Sequence, residues 1–155
     1  MSVAFRRESD EEHLEPKFEI PIPPGPNLVT ARGLALTQAR VMELEALVPT
    51  LVDDALVAAK RELRYWRTRQ ATAQLAPVPD GEAVEFGCTV TYRLKGQERR
   101  ITLVGDDEAD PAAGLIAFSA PLARAMMEAM PGETVAFGGK ADAIEIVAVA
   151  VRGQG

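Results

Sequence analysis

Apolar residues recur along this chain with two different periods, and the change falls near residue 76. From Asn27 to about Leu75 the spacing is helical: Leu34, Val41, Leu44 and Val48 recur at heptad-like intervals, and Leu56, Ala59, Leu63 and Trp66 follow at steps of three and four. Each set draws one apolar stripe along a helix. Thr30 stands before Ala31 as an N-cap, and Pro49 ends the first helix or begins the next. Two amphipathic helices joined by a few residues bury their stripes against each other, which predicts an antiparallel coiled-coil hairpin over residues 27–75.

Beyond a linker at residues 76–82, marked by Pro77, Pro79, Asp80 and Gly81, the period falls to two. Cys88, Val90, Tyr92 and Leu94 alternate with Thr89, Thr91 and Arg93, so one strand face is buried. Lys95-Gly96 starts the turn to a return strand near Arg99 to Val104, and Leu115–Phe118, Val135–Phe137 and Ile144–Val151 read as three more strands. Ser119 is expected to cap a helix from about Pro121 to Met130, ended by Pro131-Gly132. Strands with one covering helix predict an α+β domain over residues 83–155. Cys88 reads as a small buried hydrophobe. Met126, Met127 and Met130 fill the core, with an exposed member available to a partner.

The first 26 residues differ from both halves. Ser9-Asp-Glu-Glu is polar, and Pro21, Pro23, Pro24 and Pro26 exclude a helix or central strand, so a disordered or polyproline-like tail is expected. His13, the only histidine, lies there among acids and reads as neither ligand nor base. Charge follows the same division. The tail is net −3, residues 27–79 are net +2 and residues 80–155 are net −5, giving −6 in total. A chain of that charge is not a nucleic-acid binder by charge alone. The middle segment concentrates its positive charge in Lys60, Arg61, Arg64, Arg67 and Arg69, a basic arm face whose bland reading is a solvated helix surface. A single cysteine makes no internal disulfide, no apolar leader precedes a small-residue cleavage site, and apolar stretches such as Ile144–Val151 are far shorter than the roughly 20 residues a membrane helix needs. A cytoplasmic protein is expected.

The candidate chemistry lies between Gly105 and Ala125: Gly-Asp-Asp-Glu-Ala-Asp-Pro-Ala-Ala-Gly, a short apolar run, then Ser119-Ala-Pro-Leu-Ala-Arg-Ala. It supplies no metal-ligand cluster, phosphate loop or nucleophile with its base, and reads instead as a surface for another protein. With Phe86-Gly87-Cys88-Thr89-Val90 upstream, this stretch resembles the carboxy-terminal domain of the GreA/GreB bacterial transcription elongation factors, and Asn27-Leu-Val-Thr with Gly33 resembles the opening of that family's coiled coil. The resemblance implies an FKBP-like fold for the second domain. It also implies a partner, bacterial RNA polymerase, gripped at its β′ rim coiled coil. By position that grip would fall to Asp106, Asp107, Glu108, Asp110, Ser119 and Pro121, although many members have Asp-Ser-Pro where this chain has Ser119-Ala120-Pro121. Nucleic acid would be met only within the polymerase complex.

In the family a longer arm enters the polymerase secondary channel and presents an acidic tip that helps to hold a catalytic magnesium while backtracked RNA is cleaved. Here Ala31 to Val48 gives an arm of roughly 27 Å, and the usual tip motif, a Gly-Asp followed shortly by Glu-Asn, is absent. Asp53 and Asp54 are the arm-tip candidates; they serve equally as acids at the start of the second helix. The resemblance thus implies a protein that is not itself an enzyme and has no cofactor beyond polymerase-held magnesium. Three functions stand open: a cleavage-stimulating elongation factor, a non-cleaving regulator that competes for the same channel, and, by fold analogy, a peptidyl-prolyl isomerase, for which one Trp, two Tyr and five Phe are a thin aromatic supply.

Overall fold

A computed structural model describes residues 19–152. His13 and most of the acidic tail lie outside them. The described chain divides into two compact units, one formed by residues 19–25 with Thr37–Thr72, the other by Pro26–Leu36 with residues 73–152. Between Glu19 and Asn27 the proline-rich chain has no helix or strand.

The first unit is the helical hairpin. Helix α1 spans Ala31–Leu47 and helix α2 spans Asp53–Thr72, joined through a short 3-10 turn at Val48–Thr50 with Pro49 inside it. Val41 and Leu44 of α1 meet Leu63 of α2, with Val48 and Trp66 at the margin. The contact is thus made by five of the residues in the expected stripes, Val41, Leu44, Val48, Leu63 and Trp66. Ion pairs flank it: Arg40 bridges Glu43 and Glu62, and Arg67 reaches Glu45.

The second unit is a five-stranded sheet with a short helix on one face. Strands β3 (Cys88–Leu94), β4 (Gln97–Val104), β5 (Leu115–Ala117), β6 (Thr134–Phe137) and β7 (Lys140–Val151) lie in the order β5-β4-β3-β7-β6. All neighbours are antiparallel except β4 and β5, which run parallel. Parallel neighbours cannot be joined by a tight hairpin, so the chain must return over a longer connection. That return path is the acidic segment that begins at Gly105, and it contains a 3-10 turn at Pro111–Ala113.

Helix α3, Pro121–Met126, covers the sheet with Ala123 and Met126, both fully buried against Val90, Tyr92, Leu103, Ile144 and Ile146. It is shorter than expected. Main-chain bonds from Glu128 N to the Val84 carbonyl and from Val84 N to the Ala129 carbonyl claim the segment that would have formed the last turn. Met126 is core and Met130 is exposed. Cys88 is fully buried beside Val90; burial pushes its thiol pKa up, and its Sγ lies 3.6 Å from the Ala83 carbonyl.

One further pair was not anticipated. Strands β1 (Leu28–Val29) and β2 (Gln74–Leu75) pair in parallel, so both ends of the segment expected to be hairpin belong to the second unit. No helix among the described residues is long and apolar enough to cross a membrane.

Candidate protein-binding site

The acidic loop leaves the end of β4 at Gly105, where it passes directly under β1. A Cβ built on Gly105 would lie 2.4 Å from the Leu28 carbonyl oxygen, so no side chain fits. The four acids of the loop then separate into two roles. Asp106 and Asp107 are half-buried and Asp110 is exposed, whereas Glu108 turns inward and is only 6% exposed.

Glu108 is the centre of a polar cluster. Its Oε1 accepts a 2.6 Å bond from the Thr30 hydroxyl, and its Oε2 accepts bonds from Arg32 Nη1 at 2.9 Å and Arg152 Nη1 at 2.7 Å. Thr30 Oγ1 also accepts from Gly33 N at 3.0 Å, which is the N-cap bond expected of this residue. The carboxylate thus sits at the start of α1, where unpaired backbone donors and the helix dipole favour negative charge. Burial alone would raise the Glu108 pKa, but the bonds from Thr30, Arg152 and Arg32 outweigh it and hold the carboxyl below its ordinary value. The geometry corrects the expectation for this residue. Glu108 was grouped with surface acids, yet its oxygens are consumed inside the fold.

The start of α3 is likewise built differently from expectation. Ser119 does not cap the helix; the N-cap is Ala120, and Pro121 occupies the first turn. The Ser119 hydroxyl instead donates to the Asp106 carboxylate, because it lies one residue too early to reach the helix amides and next to a stronger acceptor. Asp106, Ser119 and the exposed ring of Pro121 are therefore neighbours on one surface. Asp110 begins the 3-10 turn and exchanges two main-chain bonds with Leu115, which fixes the far end of the loop. Beside it, Phe86 and Phe118 pack edge to face with centroids 5.3 Å apart, so the Phe86-Gly87-Cys88 stretch and the segment before Ser119 share one scaffold.

In the hairpin unit, the expected basic face is largely neutralised. Arg64 grips Glu19 through two bonds of 2.9 and 2.6 Å and holds that carboxyl below its usual range, and Arg67 pairs with Glu45. Arg69 is 2% exposed, and Arg61 is half-buried. Lys60 faces solvent. With Glu19 on Arg64, Glu45 on Arg67 and Arg69 buried, no continuous cationic strip remains among the described residues. Asp53 and Asp54 occupy the first turn of α2, with Asp53 in the left-handed region at φ 56°. No group of three or more His, Cys, Asp or Glu side chains among the described residues is arranged to hold a metal ion.

The family match falls within the second unit. Residues 79–151 match the family model described as transcription elongation factor GreA/GreB, carboxy-terminal. The transcription elongation factor GreA of Xylella fastidiosa (strain M12) is 39% identical over 79 residues, covering 50% of this chain and 50% of that protein. GreA of Nitratidesulfovibrio vulgaris (strain DP4) is 35% identical over 96 residues, covering 59% of this chain and 52% of that protein. The chain spans about half the length of the curated relatives it matches. Among solved structures, a GreA/GreB elongation factor from Nitrosomonas europaea aligns over 82% of this chain and 99% of its own, with 21% identity and a TM-score of 0.38.

Proposed function

We propose, because this chain belongs to the GreA/GreB family through its carboxy-terminal domain, that it is a transcription elongation factor that binds bacterial RNA polymerase and modulates elongating or arrested complexes at the secondary channel. The observation that carries this reading is the surface formed by Asp106, Asp107, Asp110, Ser119 and Pro121. The Asp106–Ser119 bond ties the acidic loop to the start of α3, so that the acids are presented on a rigid edge. Such an edge suits a basic partner surface, because a preorganised set of carboxylates loses little conformational freedom on binding. Glu108 serves this face from behind by anchoring the loop.

A specific feature of the hairpin favours a regulator that stimulates little cleavage. Helix α1 has 17 residues, an arm of roughly 26 Å. Its turn is apolar: Val52 is 69% exposed and Leu47 is 42% exposed, while Asp53 and Asp54 stand in the first turn of α2. Magnesium held with help from the tip would need carboxylate oxygens at about 2.1 Å. The decisive experiment is retention of the full chain on core polymerase, with a polymerase lacking the β′ rim coiled coil as control, followed by cleavage of backtracked complexes. Retention that needs the rim, with little cleavage, is expected; no retention overturns the reading.

A further inference from the structure

Two tight turns stand at the same end of the sheet and form the rim of a cleft. Lys95 and Gly96, at φ 54° and 76°, join Leu94 to Gln97, and Gly138 and Gly139, at φ 62° and 80°, join Phe137 to Lys140. Positive φ at both central residues is the hairpin geometry that follows the twist of the strands and leaves the tip rigid. Between these tips and Leu122 of α3 lies a cleft of about 370 Å³. Tyr92, Leu94, Leu122 and Phe137 supply apolar and aromatic wall, and Lys95 and Arg99 stand among the lining residues.

Lys95 and Arg99, like Lys60, Arg100, Arg124 and Lys140, have no carboxylate partner among the described residues, and these two share one cleft. Arg32, Arg40, Arg64, Arg67, Arg93 and Arg152 are all engaged by carboxylates. Arg99 instead donates to the Gln97 side-chain oxygen at 2.9 Å, which steadies the guanidinium and leaves its charge uncompensated. In a protein of net charge −6, two cations without a carboxylate partner at a cleft of mixed apolar and polar wall mark a preference for an acidic ligand with an apolar part.

We propose that this cleft receives a peptide segment of a partner protein in which one large apolar side chain is flanked by carboxylates. The apolar side chain lies against Leu94, Leu122 and Phe137, and the flanking acids meet Lys95 and Arg99. Asp107 and Asp110 take no part, so this inference stands apart from the polymerase reading.

The test uses the full chain and an array of decapeptides with central Leu, Phe or Ala between runs of Glu and Asp, together with lysine-flanked counterparts. The expected result is saturable, salt-sensitive binding of Leu- or Phe-centred acidic peptides, with amide shifts confined to the residues around Lys95, Arg99, Leu122 and Phe137. Lys95→Glu with Arg99→Glu should weaken it at least tenfold, and Asp107→Lys should not. Both positions are exposed strand or turn residues, so folding of the variant can be verified by its spectrum. Absence of binding at millimolar peptide, equal binding of lysine-flanked peptides, an unchanged affinity in the double variant, or stronger binding of a single-stranded oligonucleotide would each overturn the proposal.

Discussion

The Thr30 hydroxyl gives its proton to Glu108 across 78 positions of sequence while its oxygen accepts from Gly33 N, so one side chain closes a helix start and anchors the acidic loop. Replacing it should therefore cost more than an ordinary cap. Thr30→Val keeps the shape and loses both bonds. The cap contributes about 1 kcal/mol, and the buried carboxylate loses one of its three donors, so a total loss of about 2 kcal/mol in urea unfolding is expected. Glu108→Ala should cost a similar amount. Its two arginines remain partly exposed and can turn to water, which keeps the loss below that of a fully buried pair.

The same cluster sets a pH dependence. The Glu108 pKa in the folded protein is depressed, because the bonds it accepts outweigh the burial that opposes ionisation. A depressed carboxyl binds fewer protons folded than unfolded, so its contribution is fully present above the unfolded value and is lost as pH falls through the folded one. Between about pH 5 and pH 3 the stability gap between the native chain and Glu108→Gln should shrink. Parallel curves in that window would show that another group carries the acid response.

Two glycines separate backbone from side-chain crowding. A Cβ at Gly105 would meet the Leu28 carbonyl at 2.4 Å, a main-chain atom held in the β1–β2 pair, so Gly105→Ala should destabilise by about 2 kcal/mol or more. At Gly33 the nearest atom is Glu108 Oε1 at 3.0 Å, at the end of a side chain. Alanine there also gains up to about 1 kcal/mol of helix propensity. Thermal unfolding of Gly33→Ala should thus shift far less than that of Gly105→Ala.

These contacts mark where sequence reading runs out. The hairpin stripes, the alternation in β3 and the Lys95-Gly96 turn are local patterns, and each formed as its spacing dictates. Glu108 sits in a run of acids, and nothing adjacent distinguishes it from Asp107; its burial is decided by Arg32 and Arg152, both remote in sequence. Strands of two residues, such as β1 and β2, carry no period to detect. The end of α3 at Met126 is likewise imposed from outside, by main-chain bonds to Val84. A signal for Thr30 was present in its position before α1. Its second role was not.

For the proposed polymerase contact, Asp107 and Asp110 provide the test, since the first is half-buried and the second exposed, whereas Glu108 is buried. Changing both to lysine replaces attraction by repulsion against a basic partner. Affinity for core polymerase should fall about thirtyfold, roughly 2 kcal/mol, and the loss should diminish at high salt. A folded variant that binds as tightly as the native chain would move the contact elsewhere.

The arm tip tests whether cleavage belongs to this protein. Asp54 lies where a carboxylate favours the helix dipole, and Asp53 holds a left-handed backbone that aspartate tolerates better than most residues. Removing both side chains should lower stability by about 1 kcal/mol, part from the dipole and part from the strained position. With an arm of roughly 26 Å and an apolar turn, native protein should bind polymerase and stimulate little cleavage of backtracked RNA. The Asp53→Ala, Asp54→Ala variant should then behave in transcription as the native chain does. Robust native cleavage that disappears in this variant would instead assign these two acids to the catalytic magnesium and restore an ordinary cleavage factor.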